Sequence, residues 1–376
     1  MIEFIHPVLR NYRLGLFEKL QKQYSIKFIF SEHREGSSGL GIPQSWNYEA
    51  IDISQKNSLL NWLRLAKVLF TDNYDLILTS PAETHYSLLA LLISKLRFKR
   101  IVFWGESWYW RHNSTKLRFY YYVLIKWMLE QGDTIIATGE KQCAFYTRTL
   151  GKKSKVFYAP KYVVPYKKRD VARFVERLAL EDRRILGKKI ILYMSKIVKR
   201  KGLDYLIRAF RLLEDDFDDV YLIVVGSGEF EGYCRNIAKE IGVKNVLFKG
   251  YVSDLDIELY HNLCDVLVLP SIFLDDYPEP NGYVLYESMS VGKPLVVTDA
   301  VGAAPEFVRD GVNGFVVKNR ESIELAGALS RILVDERLAK KMGEKSKEIF
   351  GEKVSLKKQS EAFKNAIDFA LGKGIK

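Results

Sequence analysis

The sequence has few cysteines, and their positions limit what they can do. Three occur in 376 residues, at Cys143, Cys234 and Cys264. They are odd in number and scattered, and this spacing excludes a cysteine-based zinc cluster. So few cysteines are typical of proteins from a reducing compartment, so we expect a cytoplasmic protein.

Long apolar runs are also missing. The longest stretches, residues 86–93 and 119–125, are far shorter than the roughly 20 residues that a membrane-spanning helix needs. Residues 2–5 are long enough to form only a short strand. We therefore expect neither a transmembrane segment nor a secretory signal.

Negative charge is scarce in the first half of the chain. Residues 1–180 carry 28 Lys and Arg against 15 Asp and Glu, a balance of +13, whereas residues 181–376 carry 30 against 31, a balance of −1. This asymmetry predicts an anionic partner, which is a membrane surface, a phosphorylated acceptor or nucleic acid; general solubility is the alternative. No nucleic-acid-binding module is recognisable, so we expect no nucleic acid. Peripheral association with the inner face of a membrane stays open.

Short apolar runs alternate with helical patterns along the whole chain. This alternation predicts an α/β fold with two Rossmann-like domains. The first domain covers residues 1–170 and the second covers residues 188–350, with a highly charged connection between them. Residues 351–376 are predicted to form a separate final helix.

The most informative stretch is 265–298, which the pattern predicts to be strand, loop, helix and strand. Glu279 in the loop and Glu287 in the helix are eight positions apart. Ligands bind at the carboxyl ends of strands in open α/β sheets, and the N–H groups near Gly282 and Tyr283 suit an anion or a hydroxyl oxygen. Either acid alone is best explained as a solvated surface group, but the pair in this setting predicts a binding site.

This stretch resembles the E-x7-E signature of retaining GT-B glycosyltransferases of family four. The resemblance is specific across about residues 188–320 and looser over 1–187. It implies two facing domains with a cleft between them, an acceptor site in the first domain, and a final helix that packs back on that domain. The sequence departs from the common pattern at 280–282, where Pro-Asn-Gly replaces an aromatic residue before the glycine.

The resemblance also implies roles for four charged residues. Glu279 would lie near the donor sugar and Glu287 would hold the ribose. Lys201 matches the family's lysine after the first strand of the second domain, and Lys196 stands where the family usually has arginine. Two cations there would neutralise a diphosphate. The neighbouring residues 199 and 200 are better explained as part of a solvated charged run.

Backbone turns supply the other candidates for donor binding. Gly226-Ser227-Gly228 follows a predicted strand and suits a close backbone approach to a ligand, although it lacks the G-x-G-x-x-G spacing. In the resembling family, the turn at Tyr251 and Val252 faces the nucleotide base. The predicted donor-binding residues are Gly226, Gly228, Tyr251, Val252, Asn281, Gly282, Tyr283, Val284 and Glu287.

In the first domain, Glu106 follows the strand predicted at 100–103. The resembling family often has a histidine near the reacting centre at this place, and here Glu106 stands nearest. We predict that Glu106 contacts a sugar hydroxyl, with a structural acid beneath the aromatic cluster at 108–110 as the alternative. His6, Arg10 and Arg13 are candidates for contact with acceptor or phosphate, with plain surface charge as the alternative.

Two further patterns each have two interpretations. Lysines mixed with Trp and Tyr in the helix predicted at 114–131 suit a membrane interface, although a core helix is the default interpretation. The D-x-D strings at 216–218 and 254–256 bind metal in another glycosyltransferase fold, but a solvated turn and helix capping explain them here. We therefore expect no metal and no cofactor, with a nucleoside-diphosphate sugar as co-substrate; Asp275 and Asp276 stay open.

These patterns together predict a retaining glycosyltransferase that moves a sugar from a nucleoside-diphosphate sugar to an acceptor hydroxyl. The acceptor would be a glycan or a lipid-linked or other anionic precursor. Cations and a helix N-terminus would stabilise the departing diphosphate without a metal. A nucleotide-sugar epimerase on the same fold is the alternative, and a non-catalytic nucleic-acid-binding protein ranks last.

Overall fold

The computed structural model describes residues 1–9, 11–32, 43, 45–53, 59–107, 116–151, 155–274 and 279–373. The chain forms two compact units. Unit 1 contains Met1–Tyr162 and Ser355–Lys376, and unit 2 contains Val163–Val354. In the described ranges, no helix combines the length and the hydropathy needed to cross a membrane.

Unit 1 contains a seven-stranded parallel sheet with the strand order β3-β2-β1-β4-β5-β6-β7. The strands are β1 Ile2–His6, β2 Ile26–Phe30, β3 Tyr48–Ala50, β4 Leu76–Thr79, β5 Arg100–Gly105, β6 Thr134–Ala137 and β7 Val156–Tyr158. The helices between them are α1 Asn11–Gln23, α2 Leu59–Thr71, α3 His85–Leu96, α4 Lys116–Glu130 and α5 Glu140–Leu150. The strand order reverses between β1 and β4, which places the expected ligand edge there.

Both faces of this sheet are buried, because successive side chains of a strand point to opposite sides. On β1, Ile5 belongs to the core beneath α2, α3, α4 and α5. Its neighbour Phe4 belongs to the core on the other face. This double burial explains why the strands are nearly continuous apolar runs.

Unit 2 contains a six-stranded parallel sheet with the order β10-β9-β8-β11-β12-β13. The strands are β8 Lys189–Met194, β9 Val220–Val225, β10 Val246–Gly250, β11 Val266–Leu269, β12 Leu295–Thr298 and β13 Gly314–Val317. The helices are α6 Ala172–Ala179, α7 Leu203–Asp216, α8 Glu231–Glu240, α9 Asp254–Leu263, α10 Tyr283–Ser290, α11 Ala304–Phe307, α12 Ser322–Val334 and α13 Glu336–Lys353. Here the order reverses between β8 and β11.

The last helix, α14 Leu356–Ala370, is part of unit 1. Phe363 and Ile367 are fully buried in the core that also contains Phe4. The ring of Phe363 meets Trp104 of β5 edge to face, with 4.9 Å between the ring centroids. The hydroxyl of Thr134 donates to the carbonyl oxygen of Ala366 at 3.3 Å. The chain therefore completes unit 1 only after it has built unit 2.

Candidate active site

A cavity of about 390 Å³ opens beyond the carboxyl ends of β8, β9 and β10. Its walls are mostly apolar, and it lies beside the reversal of strand order in unit 2, where ligands bind in such sheets. Among the predicted residues, Lys196, Gly226, Tyr251 and Val252 line it. The complete lining is Met194, Ser195, Lys196, Val225, Gly226, Ser227, Tyr251, Val252 and Ile257.

Glycine brings the loops after β8 and β9 into backbone contact. Gly226 has φ 126°, and a Cβ atom at this position would lie 2.0 Å from the carbonyl oxygen of Ser195. A Cβ atom at Gly228 would lie 2.1 Å from the carbonyl oxygen of Ile197. Side chains at either position would force the two loops apart, so this part of the cavity is shaped by glycine backbone.

Glu279 is buried, and two cations bind its carboxylate. Lys201 Nζ lies 2.6 Å from Glu279 Oε2, and Arg200 Nη1 donates to the same oxygen at 2.5 Å. The backbone of Glu279 is held as well, because its N–H donates to Ala300 at 3.2 Å and its carbonyl oxygen accepts from Gly302 at 2.7 Å. The carboxylate is therefore fixed at the loop that follows β11.

The electrostatics of this cluster keep the acid ionised. Burial by itself would raise the pKa of Glu279, but attraction and hydrogen bonds from Lys201 and Arg200 hold that pKa below its usual range. Burial lowers the pKa of Lys201, and the Glu279 carboxylate opposes this shift. The cluster is a buried ion pair with a second cation beside it.

The loop after β8 brings the cations to Glu279. Lys199–Lys201 forms a short 3₁₀ turn, and the N–H of Ile272 donates to the Arg200 carbonyl oxygen at 2.9 Å. Lys196 precedes this turn and is exposed at the cavity. Arg200, which the sequence analysis assigned to a solvated run, is thus a functional candidate that was missed. A basic residue directly beside Lys201 was the available signal.

Helix α10 begins beside this cluster. Gly282 is its N-cap residue with φ 87°, Asn281 and Val284 are buried, and Tyr283 is half-buried. The first turn of a helix presents N–H groups without partners inside the helix, so it attracts anions and hydroxyl oxygens. Asp275 and Asp276, which precede this turn, lie outside the described residues.

Glu287 has a different partner from Glu279. Its Oε2 atom lies 3.2 Å from Nε2 of His261 on α9, and His261 Nδ1 lies 2.7 Å from the hydroxyl oxygen of Ser288. His261 is fully buried, and the ring of Tyr166 lies 5.6 Å from it. His261, which the sequence analysis did not select, therefore fixes the orientation of Glu287.

In unit 1 the structure assembles a second charged cluster. Glu106 Oε1 accepts from Arg13 at 3.2 Å and from Lys161 at 3.1 Å. Arg13 also donates to Nε2 of His6, and its guanidinium stacks 4.3 Å above the ring of Trp104. His6 and Glu106 lie where β1 and β5 end, close to the reversal of strand order in this sheet.

Lys161 is the member of this cluster that the sequence analysis missed. It lies in the charged stretch after β7, which gave no signal that distinguished it from its exposed neighbours. Its side chain is buried, and burial lowers its pKa, against the opposing attraction of Glu106. Arg10 and the aromatic residues 108–110 lie outside the described part of the chain.

A buried hydrogen bond supports the segment that carries Glu106. The hydroxyl of Tyr146 donates to the Glu83 carboxyl and accepts from the N–H of Ser107 at 3.3 Å. Burial raises the pKa of Glu83 and, together with the neighbouring acid, that of Tyr146. A Cβ atom at Gly105 would lie 2.1 Å from the Tyr146 hydroxyl, so glycine lets that tyrosine reach the end of β5.

The match to a known protein family lies in unit 2. Residues 179–349 match the family described as Glycosyl transferases group 1. An uncharacterized glycosyltransferase of Methanocaldococcus jannaschii is 33% identical over 149 residues, which are 39% of this chain and 36% of that protein. A GDP-mannose-dependent alpha-(1-6)-phosphatidylinositol monomannoside mannosyltransferase of Mycolicibacterium smegmatis is 33% identical over 177 residues, 46% of this chain and 44% of that protein. The chain thus spans less than half the length of these curated relatives.

The likeness in fold extends along the whole chain. The crystal structure of Anabaena HepE in complex with UDP and glucose matches with a TM-score of 0.77 at 18% identity, covering 98% of this chain and 99% of that one. At this level of sequence identity, the match shows the fold alone. The match confirms the predicted pair of Rossmann-like α/β domains of the GT-B class. The predicted family resemblance is confirmed over unit 2, where residues 179–349 match the glycosyl transferases group 1 family.

Proposed function

We propose that this protein is a retaining glycosyltransferase that moves a sugar from a nucleoside-diphosphate sugar to an acceptor hydroxyl. The observation that carries the proposal is the buried Glu279 carboxylate, bound by Lys201 and Arg200 beside the first turn of α10. The match of residues 179–349 to the glycosyl transferases group 1 family supports it. Residues 188–350 would bind the donor, and residues 1–170 would bind the acceptor.

The donor would use three neighbouring parts of unit 2. The nucleotide base enters the apolar cavity between Met194 and Val252, with Tyr251 at its exposed rim. The diphosphate lies between Lys196, Lys201 and the N–H groups that begin α10, and Glu287 holds the ribose. This arrangement pairs the apolar part of the ligand with apolar walls and its negative charge with cations.

Glu279 and its cations would divide the chemistry between them. The bond between the anomeric carbon and the diphosphate breaks, and the acceptor oxygen bonds to the same face of that carbon. The acceptor proton leaves with the diphosphate. Lys201 stabilises the charge that develops on the leaving group, and the ionised Glu279 accepts hydrogen bonds from hydroxyls of the donor sugar.

The acceptor would bind at the Glu106 cluster of unit 1. Two cations, Arg13 and Lys161, bind one carboxylate there, which supports an acceptor with an anionic group, such as a lipid-linked glycan precursor. Glu106 would contact an acceptor hydroxyl. The protein would be cytoplasmic, and the +13 balance of residues 1–180 supports its peripheral association with an anionic membrane.

Thermal melts with a panel of nucleoside diphosphates and nucleotide sugars test the donor site. A ligand at 100 times its dissociation constant stabilises by about 2.7 kcal/mol, which is a readily measured shift. Lys201→Ala should lose this shift, whereas Lys199→Ala, an exposed lysine of the same turn, should keep it. The proposal is wrong if no nucleotide shifts the wild type, or if both variants respond equally.

Product analysis then tests the reaction. Incubation with the bound nucleotide sugar and candidate acceptors should give a glycoside whose anomeric configuration equals that of the donor, as read by NMR. An isomerised donor without any glycoside would support the epimerase instead. A product of opposite configuration would refute retention while leaving sugar transfer intact.

A further inference from the structure

The outward face of α2 carries large apolar side chains where a surface helix normally carries polar ones. Leu65 and Leu69 of this helix are buried in the core. Leu60, Leu63 and Phe70 point away from it, and Leu60 is 80% exposed. These three lie at positions i, i+3 and i+10, so they share one side of the helix. This side is exposed and mostly apolar, with Lys67 between Leu63 and Phe70.

Helix α3 packs beside α2 and extends the same surface. Its Leu92 and Leu96 are exposed, and Phe98, just beyond its end, is 95% exposed. Phe98 has φ 54°, in the left-handed region that glycine normally occupies after a helix. Such a conformation is unfavourable for a bulky residue, so the protein holds an aromatic ring outward where folding alone would favour glycine.

Arg97 joins this end of α3 to the end of α2. Its Nη1 atom donates to the carbonyl oxygen of Leu69 at 3.0 Å and to that of Asp72 at 2.6 Å. The two bonds join the segment that carries Phe98 to the end of α2, whose last turn carries Phe70. The exposed apolar residues therefore form one surface rather than scattered single side chains, and such surfaces mark interaction sites.

The charges on this surface indicate what covers it. Helices α2 and α3 contain three cations, Arg64, Lys67 and Lys95, and no Asp or Glu, and Lys99 follows Phe98. Arg64 pairs with Glu49 at 2.8 Å. Apolar side chains bordered by cations match the boundary between acyl chains and anionic headgroups. A second copy of this chain would bring like charges together, which disfavours self-association.

Helix α4 packs on the same side of the sheet. Its Ile125, Met128 and Leu129 are in the core, as the default interpretation expects, while Val123, Leu124 and Trp127 are exposed. Of the 21 large apolar residues that are exposed within the described ranges, ten lie on α2, α4 or the segment from α3 to Phe98. Exposed apolar groups are thus concentrated on one side of unit 1.

We propose that this surface docks on an anionic lipid bilayer, with Phe98 as its inserting anchor. The α2–α3 face, as we define it, comprises Leu59, Leu60, Leu63, Phe70, Leu92, Leu96 and Phe98. The proposal names the surface for the membrane association included in the proposed function. It does not require sugar transfer, so either can fail while the other stands.

Sedimentation of the full chain with vesicles tests the proposal. The wild type should bind phosphatidylglycerol vesicles at low salt, bind neutral phosphatidylcholine vesicles far less, and release as salt screens the lysines. Phe98→Gly should weaken binding about tenfold, because it removes the aromatic side chain that the bilayer would bury. The double variant Leu60→Glu/Leu63→Glu should abolish binding. Ile323→Glu, which changes an exposed apolar residue of unit 2, should bind as the wild type does.

Phe98→Gly separates docking from folding. Glycine suits the left-handed conformation, so the melting temperature should stay the same or rise while vesicle binding falls. Its thermal shift with nucleotides should equal that of the wild type. The proposal is overturned if the wild type does not bind anionic vesicles, or if Phe98→Gly and the double variant bind them as the wild type does. A concentration-dependent dimer that Phe98→Gly dissociates, without vesicle binding, would assign the face to self-association instead.

Discussion

Replacing Glu279 by glutamine tests the buried charge cluster of unit 2 directly. The substitution keeps the shape of the side chain but removes the charge that binds Lys201 and Arg200. The side chain of Lys201 is 11% exposed and that of Glu279 is 8% exposed, so water replaces the lost partner poorly. The side chain of Arg200 is more accessible to water, so the loss of the Glu279 charge is less costly for Arg200 than for Lys201.

The expected loss of stability is large. Removing one partner of a buried ion pair destabilises a protein by about 3–5 kcal/mol, whereas a surface pair contributes about 0–1 kcal/mol. In a unit of this size, each kcal/mol lowers the melting temperature by about 2–4 °C. We therefore expect Glu279→Gln to melt at least about 6 °C below the wild type at pH 7.

A matched double variant and a ligand sharpen this test. Glu279→Gln/Lys201→Met removes both charges and should recover most of the lost stability. A nucleoside diphosphate should stabilise Glu279→Gln more than it stabilises the wild type, because its phosphates replace the missing negative charge beside Lys201. The reasoning is refuted if calorimetry finds the single variant within about 1 kcal/mol of the wild type, or if the double variant is no better.

The contribution of the Glu279 cluster to stability should depend on pH with a defined sign. Although burial opposes it, attraction from Lys201 and Arg200 leaves the pKa of Glu279 below its usual range in the folded protein. In the unfolded chain, the pKa of this carboxyl is about 4.3. The pair therefore contributes its full stability above that pH and loses it as the pH falls through the lower folded pKa. The difference between wild type and Glu279→Gln should shrink in that acidic range and not between pH 6 and 8.

Three further substitutions have expected outcomes. Gly226→Ala should lower stability in urea melts by about 2 kcal/mol or more and abolish the nucleotide shift, because its Cβ would lie 2.0 Å from a carbonyl oxygen. Gly232→Ala, which has open space around its Cβ, should do neither. Equal effects of the two variants would contradict this prediction. If His261 positions Glu287, His261→Ala should raise the KM for the donor by a factor about ten times larger than the factor by which it lowers kcat. His261→Gln should restore part of the loss. An effect on kcat alone would refute the positioning role of His261. Burial, with a neighbouring acid, raises the pKa of Glu3 to about 8, so between pH 5 and 8 the folded protein keeps a proton that the unfolded chain has lost. Glu3→Gln should therefore gain stability relative to the wild type over this range, by up to about 1.4 kcal/mol per pH unit. A stability difference that is constant with pH would contradict this prediction.

The fold was predictable because its signals are local. Strands such as β9 and β11 are short apolar runs that end in polar loops, and parallel sheets that are buried on both faces require such runs. Glu279 could be selected for the same reason, since a strand, a loop and a helix start are all read within 34 residues of sequence. The two α/β domains followed from the repetition of that pattern.

The partners of the selected residues were not predictable. Arg200 resembled a solvated neighbour of Lys201, and only the fold shows that both contact Glu279, which is 79 positions from Arg200. Lys161 and Glu106 are 55 positions apart, and Arg13 and Glu106 are 93 apart. No periodicity connects such distant residues, because their contacts depend on how the strands are ordered in the sheet.

The two sheets place the same electrostatic arrangement near their reversals of strand order. In unit 1, Glu106 is bound by Arg13 and Lys161; in unit 2, Glu279 is bound by Arg200 and Lys201. Each trio has a net charge of +1 at neutral pH. Burying charge in this way seldom increases stability, because apolar residues of similar volume do as well or better. A trio with one excess positive charge is, however, preorganised for an anion, since the acid fixes the cations before the ligand arrives. This reasoning gives both trios one cause, the binding of an anion, which in the proposed function would be the donor diphosphate in unit 2 and an anionic acceptor in unit 1.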